Sequence, residues 1–186
     1  MGLLELFFVA IGLSMDAFAV AICKGLNMSR QNWLHKFIVA LFFGVFQAVM
    51  PLIGWLLGKQ FESYISRFDH WIAFGLLILI GSKMIFEVFK KDDCTSESKN
   101  DLKIKELTLL AVATSIDALA VGVSFAFLRV AIVPAVSLIG VITFVLSLIA
   151  VSAGNRLGEK FKDKAELAGG TVLILIGTKI LLDHLL

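Results

Sequence analysis

The sequence predicts an all-α integral membrane protein whose six transmembrane helices form two inverted-topology three-helix repeats. Two observations predict the membrane environment: the chain of 186 residues is 59% hydrophobic, and only 17% of its residues are charged. A soluble domain is typically about 45–50% apolar and about 25% charged. A third observation, one motif that occurs twice along the chain, predicts the repeat.

The charged residues are concentrated between apolar runs that are long enough to cross a bilayer. Residues 37–58 and 132–154 contain no charged side chain at all. A helix needs about 20 apolar residues to span the hydrocarbon core. The segments also lack the alternation of membrane β-barrel strands and are about twice as long as those strands. The predicted spans are 3–23, 37–58, 71–89, 107–128, 132–154 and 167–186.

The repeated motif indicates an internal duplication. LSMDAFAV at 13–20 aligns with TSIDALAV at 114–121 at an offset of 101, and ILIGSK at 78–83 aligns with ILIGTK at 174–179 at an offset of 96. Each copy holds three predicted helices, an odd number, so the second copy must enter the membrane inverted. Inverted repeats of this kind recur in transporters. The predicted units are 1–89 and 104–186, joined by a cytoplasmic linker at 90–103.

Basic residues are distributed unequally between the two sides of the predicted bundle. The loops after the first, third and fifth helices hold twelve of the 17 Lys and Arg residues, and the opposite side holds three. The positive-inside rule therefore places these loops in the cytoplasm and both termini outside. Cys23 and Cys94 then face a reducing compartment, so the sequence predicts free thiols.

Two aspartates occupy matching positions near the middle of predicted spans. Asp16 is the fourteenth residue of the first span and Asp117 the eleventh of the fourth. An aspartate at the bilayer centre costs about 2.5–3.5 kcal/mol. Residues three and four positions away share a helix face, and neither aspartate has a cation there. Its partner must therefore come from another helix, from protons or from a transported ion.

The other charged residues inside the predicted spans form possible pairs on one helix face. Lys83 has Glu87 four residues later, and Lys179 has Asp183 four residues later. Such pairs can neutralise themselves, which favours a structural or pathway role over direct substrate contact. In an alternative interpretation, Lys83 or Lys179 reaches across to the aspartates when the site is empty.

Two convergent carboxylates without imidazole or thiolate companions suit a hard divalent cation, which prefers oxygen ligands. Further metal oxygens are expected from Gln47 on the second helix and Thr143 at the equivalent point of the fifth. Ser14 and Ser115 precede the aspartates by two residues, so on a straight helix they face away and pack, and they contribute to the site only if the helix unwinds there. Thr114, one residue before Ser115, is the better-oriented donor to Asp117.

These segments resemble the MntP family of bacterial manganese efflux pumps. LSMDAFAVAICKG, PLIGWLLG, HWIAFGLLILIGSKMIFE and ATSIDALAVGVSFAFL carry the resemblance, which runs essentially end to end. It implies export of Mn²⁺ across the inner membrane, with Asp16 and Asp117 as the paired aspartates of the family. Some relatives carry a carboxylate where this chain has Gln47. The wider group resembles LysE-type exporters, whose substrates include amino acids as well as metals, so the fold does not fix the substrate.

Three other classes of protein compete with a metal exporter. A passive divalent-cation channel could use the same carboxylates, although inverted halves favour alternating access. A LysE-like exporter of a small amino acid would need groups for an ammonium and a carboxylate, and the predicted midplane holds no unpaired arginine. An enzyme is not expected, because His35, His70 and His184 lie at helix starts or at the end of the chain.

The expected partners are a divalent metal ion, protons and the lipid bilayer. The loops contain no Gly-rich phosphate cradle that ends in Lys-Ser or Lys-Thr, so nucleotide-driven transport is not predicted. Exchange for protons is the expected energy source. The sequence predicts no resident cofactor and no nucleic-acid partner, Mn²⁺ being the transported substrate, and it supports no particular oligomer.

Overall fold

The computed structural model describes residues 2–27, 33–65, 69–89, 104–157 and 159–185, and helices make up almost all of this part of the chain. No strand occurs within those ranges. Because the fourth predicted span is divided at Ser115, seven helices occupy the six predicted positions. They are α1 (Leu3–Asn27), α2 (Trp33–Ile65), α3 (Asp69–Phe89), α4 (Ile104–Thr114), α5 (Ile116–Phe127), α6 (Ile132–Leu157) and α7 (Glu159–Leu185).

Several of these helices have the length and apolarity of membrane spans. Four stretches qualify within the described residues: Leu3–Gly25, Trp33–Gln60, Ile104–Phe127 and Ile132–Gly154. In α3 and α7 the apolar stretches are shorter, Phe74–Lys83 and Leu167–Leu182. These two helices also carry large apolar side chains on the outside, since Leu79 and Leu175 are each 64% exposed. The chain is therefore a multi-pass membrane protein with an apolar outer surface.

Glycines allow the helices to approach one another at backbone distance. A Cβ atom built at Gly54 of α2 would lie 2.0 Å from the carbonyl oxygen of Leu119. A Cβ atom built at Gly122 of α5 would lie 2.1 Å from the carbonyl oxygen of Pro51. Only a residue without a side chain fits at either position, and small residues at helix contacts are typical of membrane bundles. This crossing holds the Asp117 motif against the second helix.

The buried apolar residues form two clusters, one on each side of the bundle centre. The first cluster contains Leu13 of α1 and Ala118 of α5, together with Leu77, Ile139 and Leu173. The second cluster contains Ala17 of α1 and Ala111 of α4, together with Phe43, Leu107 and Val151. Along α1, residues 14–16 lie between Leu13 and Ala17, and along α4–α5, residues 112–117 lie between Ala111 and Ala118. The fold therefore places Asp16 and Asp117 between two apolar layers.

A tight turn joins α5 to α6. Arg129 adopts a left-handed conformation, with φ of 51°. The amide of Arg129 donates to the carbonyl of Ala126, and the amide of Val130 donates to the carbonyl of Phe125. This pattern is the Schellman motif, which ends a helix and satisfies its last carbonyls. It lets α6 return directly across the bundle.

The structure corrects the expectation for one cysteine. Cys23, near the end of α1, is disulfide-bonded rather than a free thiol. The other cysteine of the chain, Cys94, lies outside the described residues. The expectation of a thiol came from the redox poise of the cytoplasm, whereas a disulfide in a folded chain requires only that two sulfur atoms meet with suitable geometry.

Candidate functional site

Four completely buried polar side chains between the two apolar clusters are joined in hydrogen-bonded pairs. They come from α1, from α2, from the junction of α4 with α5, and from α6, and we call them the polar layer. Each has 0% relative exposure. Buried polar groups require hydrogen-bond partners, and here the groups supply them to one another. The members of the polar layer are Ser14, Gln47, Ser115 and Thr143.

The polar layer consists of two pairs, each joining a motif serine to a different helix. The hydroxyl oxygens of Ser14 and Thr143 lie 2.7 Å apart. The hydroxyl of Ser115 lies 3.0 Å from Gln47 Oε1. Both serines also lie within hydrogen-bond distance of a carbonyl in the preceding turn, at 2.6 Å for Ser14 and 2.7 Å for Ser115. Both serine hydroxyls are thus occupied by contacts with the chain.

The amide of Gln47 connects the two aspartate motifs. Its Oε1 accepts from Ser115, which lies two residues before Asp117, and its Nε2 donates to the carbonyl of Leu13 at 2.9 Å. Leu13 lies one helical turn before Asp16. One side chain of α2 therefore bridges two segments that are about a hundred residues apart in sequence. Gln47 and Thr143, expected as metal ligands, both use their polar atoms in contacts with the chain in this state.

The second motif contains a break in its helix that the first motif lacks. Helix α4 ends at Thr114, Ser115 adopts φ −102° and ψ 1°, and α5 begins at Ile116. Asp117 therefore lies in the first turn of α5. The unsatisfied amides at a helix N-terminus carry a partial positive charge that stabilises a carboxylate. Asp16 has no such support from its own backbone, because α1 runs without interruption through its motif.

Asp117 forms an ion pair with a lysine of another helix. The ammonium nitrogen of Lys83, on α3, lies 3.2 Å from Oδ1 and 3.1 Å from Oδ2 of Asp117. Asp117 is buried, with 7% relative exposure. The ion pair corresponds to the alternative interpretation, in which Lys83 reaches across to an aspartate. The side chain of Glu87, expected as the structural partner of Lys83, lies outside the described part of the chain.

Asp16 lies in the interior beside the polar layer. Its Oδ1 atom is buried, and the residue as a whole is half-buried. The side chains on either side of it along the same helix face, Leu13 and Ala19, belong to the buried core. A carboxylate in this position is held at the level of the polar layer by a continuous, well-packed helix.

The ammonium group of Lys179 forms an ion pair with Glu5, near the start of α1. The expected pair with Asp183 falls outside the described side chains. Lys83 and Lys179, which end the matching segments ILIGSK and ILIGTK, thus each form an ion pair with a carboxylate of another helix.

Thr114 does not donate to Asp117. Its hydroxyl lies 3.0 Å from the carbonyl oxygen of Leu110 and 3.2 Å from that of Ala111, so its proton is used within α4. A threonine in the last turn of a helix commonly bonds back to its own backbone in this way. The expectation of a donor to the aspartate is therefore corrected.

One buried hydroxyl escaped the sequence analysis. Ser147 lies one turn after Thr143 on α6, is completely buried, and its Oγ has no hydrogen-bond partner within the described part of the chain. Its spacing of four residues from Thr143 was the available signal. Among the described residues, no three His, Cys, Asp or Glu side chains converge.

Comparison with known proteins identifies the family. Residues 30–181 match the family model described as "Putative manganese efflux pump". The chain belongs to this family. A relative from Desulfitobacterium hafniense is 60% identical over 185 residues, covering 100% of this chain and 97% of its own length. A relative from Mannheimia succiniciproducens is 54% identical over 186 residues, covering 100% of this chain and 99% of its own. Both carry the name "Putative manganese efflux pump MntP".

No solved structure matches this member of the family. The geometry of its polar layer and of the Lys83–Asp117 pair therefore comes from the present structure alone.

Proposed function

We propose that the protein exports Mn²⁺ from the cytoplasm across the inner membrane, through a site built on Asp16 and Asp117. The observation that carries the proposal is the Gln47 bridge, which brings the two aspartate motifs together in the buried centre of the bundle. Carboxylates that are this costly to bury in a membrane are usually kept for function. The names of the family relatives point to manganese as the substrate.

The chemistry of the proposed site suits manganese. Carboxylate, hydroxyl, carbonyl and water oxygens are ligands that Mg²⁺, Ca²⁺ and Mn²⁺ prefer, whereas thiolates would favour copper or zinc. Asp16 and Asp117 supply the two negative charges that balance a dication. The oxygens of Gln47, Thr143 and Ser147 become available to the metal if the polar layer rearranges.

Six spanning helices in two inverted halves are the architecture that we infer. Under the offsets of the repeat, Ser14 corresponds to Ser115 and Thr143 to Gln47, so the two pairs of the polar layer exchange with each other. Gly44 and its counterpart Gly140 meet between α2 and α6, with built Cβ atoms 3.1 and 3.2 Å from the carbonyl oxygen of the other. Contacts that map onto each other in this way support a two-fold axis through the site.

The two apolar clusters are suited to act as opposite barriers in alternating access. The first cluster closes the site from one side and the second cluster closes it from the other. In an inverted-repeat transporter, one barrier opens while the other stays packed. A channel would instead need a continuous wet path, and the packing on both sides of the polar layer argues for a carrier.

The orientation that we propose has the basic loops in the cytoplasm and both termini outside. The test uses a cysteine-free variant with single cysteines introduced in the 59–69 loop or the 155–165 loop. An impermeant thiol reagent applied to intact cells should label the first loop and spare the second, following the positive-inside rule. Labelling of the second loop alone would instead establish the opposite orientation.

Proton exchange is the energy source that we propose. A returning carrier with two bare buried carboxylates would pay a large desolvation cost. Protons that bind the empty site remove this charge, and a proton gradient directed inward then drives the metal outward. No Walker-type phosphate-binding motif is present in the sequence, which leaves an ion gradient as the available source.

Export itself is testable in cells that lack their own manganese exporter. Expression of this chain should lower the total cellular manganese, measured by elemental analysis, and restore growth in excess Mn²⁺. The same measurement with Fe²⁺, Co²⁺ and Cd²⁺ ranks the selectivity. Unchanged manganese together with loss of a small amino acid from the cells would favour the LysE-like alternative.

A further inference from the structure

We propose that Lys83 is a tethered counter-cation of the transport site, occupying Asp117 when no metal is bound and leaving when Mn²⁺ loads. The inference rests on the proposed function and adds a competitor for the metal that is built into the chain. It starts from the geometry of the ion pair. One ammonium group contacts both oxygens of the Asp117 carboxylate, at 3.1 and 3.2 Å, so it covers the face that a metal would use.

The ammonium and a metal ion cannot both stay at this carboxylate. A hard divalent ion binds carboxylate oxygens at about 2.0–2.6 Å. An ammonium in contact with the same two oxygens would then lie within a few ångströms of the dication, in surroundings of low dielectric constant where like charges repel strongly. Binding of Mn²⁺ at Asp117 must therefore displace Lys83.

The structure gives Lys83 a way out that Asp117 does not have. The lysine side chain is 44% exposed, whereas that of Asp117 is 9% exposed. The four-carbon stem of a lysine is flexible, so the ammonium can move outward while the backbones of α3 and α5 stay packed.

The repeat sharpens the inference, because it provides a matched comparison. Lys179 is the counterpart of Lys83 at the offset of 96. Its ammonium group binds Glu5, near the start of α1. Removal of both members of that pair therefore gives a variant that loses a lysine at the matching place of the other half and leaves the Lys83–Asp117 pair intact.

The consequence for transport is that Lys83 matters when the carrier crosses empty. With Lys83 in place, Asp117 is neutralised without metal, so the returning carrier needs a proton only at Asp16 and can change its access state at low cost. Without Lys83, Mn²⁺ meets no competitor and binds more tightly, while the empty carrier retains an uncompensated buried carboxylate. Net export requires the empty carrier to return, whereas exchange of Mn²⁺ for Mn²⁺ does not.

The test compares purified full-length variants in two assays: Mn²⁺ binding, from the electron paramagnetic resonance signal of the free ion, and flux in liposomes. We expect Lys83→Met to lower the Kd for Mn²⁺ by about tenfold or more, the range of a close charge pair. It should keep exchange of radiolabelled Mn²⁺ for Mn²⁺ and lose at least about nine-tenths of net export. Lys83→Arg, which preserves the charge, should keep the Kd near the wild-type value.

The control is the double variant Glu5→Gln with Lys179→Met, which removes the other lysine together with its carboxylate and should leave the Kd unchanged. The proposed role of Lys83 as a counter-cation is overturned if Lys83→Met binds Mn²⁺ no more tightly than the wild type, or if it loses exchange and net export together. If the wild-type protein itself neither binds nor exchanges Mn²⁺, the proposed function is overturned instead. The two failures are therefore distinguishable.

Discussion

Replacement of either Asp16 or Asp117 by asparagine is expected to abolish Mn²⁺ export while the protein still inserts and folds. The amide has nearly the shape of the carboxylate but lacks its charge, so the site loses most of its attraction for a dication. A decrease of at least about a hundredfold in transport corresponds to a loss of only about 2.8 kcal/mol. The measurement is the initial rate of Mn²⁺ flux per molecule of protein in vesicles.

A matched control separates loss of the site from loss of a buried charge in general. The double variant Glu5→Gln with Lys179→Met removes both members of another ion pair, so it leaves no uncompensated charge. It should transport at a rate close to that of the wild type. Normal transport by Asp16→Asn and Asp117→Asn, combined with failure of this control at equal expression, would show that the roles are wrongly assigned.

The sequence predicts the helices well because hydrocarbon imposes a simple rule. A segment that crosses a bilayer must satisfy its backbone internally and carry apolar side chains, so uncharged runs such as 37–58 identify a spanning helix directly. Helix ends are less predictable: α2 extends over Trp33–Ile65, beyond the predicted run at both ends. Polar residues outside the hydrocarbon continue a helix without changing the apolar pattern.

The break at Ser115 could not be predicted from the usual signals. No glycine or proline lies at that point, and the matching Ser14 lies within a continuous helix. A serine hydroxyl that bonds to the preceding turn can loosen a helix, but whether the helix yields depends on what packs against it. Here Ser115 also contacts Gln47 of another helix, information that no pattern within one helix contains.

Part of the candidate site can be predicted from the sequence, and the rest depends on how the helices pack against one another. A charge inside an apolar run is visible in the sequence, so Asp16 and Asp117 stand out as candidates. Helix geometry fixes only the neighbours three and four residues away, so the sequence excludes a cation on the helix face of Asp117 and pairs Lys83 with Glu87. A contact between Lys83 and Asp117 was the alternative interpretation. The observed pair joins α3 to α5, and a contact between helices depends on how the bundle packs.

Export of Mn²⁺ against the membrane potential requires a source of energy. Moving one charge across 100 mV costs about 2.3 kcal/mol, so exporting a dication from a cell that is negative inside costs about 4.6 kcal/mol per 100 mV. A uniporter would therefore favour uptake of Mn²⁺. Exchange for protons solves the problem, because each pH unit contributes about 1.4 kcal/mol, or about tenfold in Mn²⁺ accumulation, per exchanged proton.

The central measurement uses liposomes that contain only the purified protein, with Mn²⁺ outside, an acidic interior and the membrane potential clamped at zero. The account predicts that Mn²⁺ enters against its own concentration gradient as protons leave, and that the variant with both Asp16→Asn and Asp117→Asn shows neither flux. The logarithm of the accumulation ratio should rise in proportion to the imposed pH difference. Mn²⁺ movement that is indifferent to the pH gradient, with no counterflow of protons, would contradict exchange and leave facilitated diffusion as the mechanism.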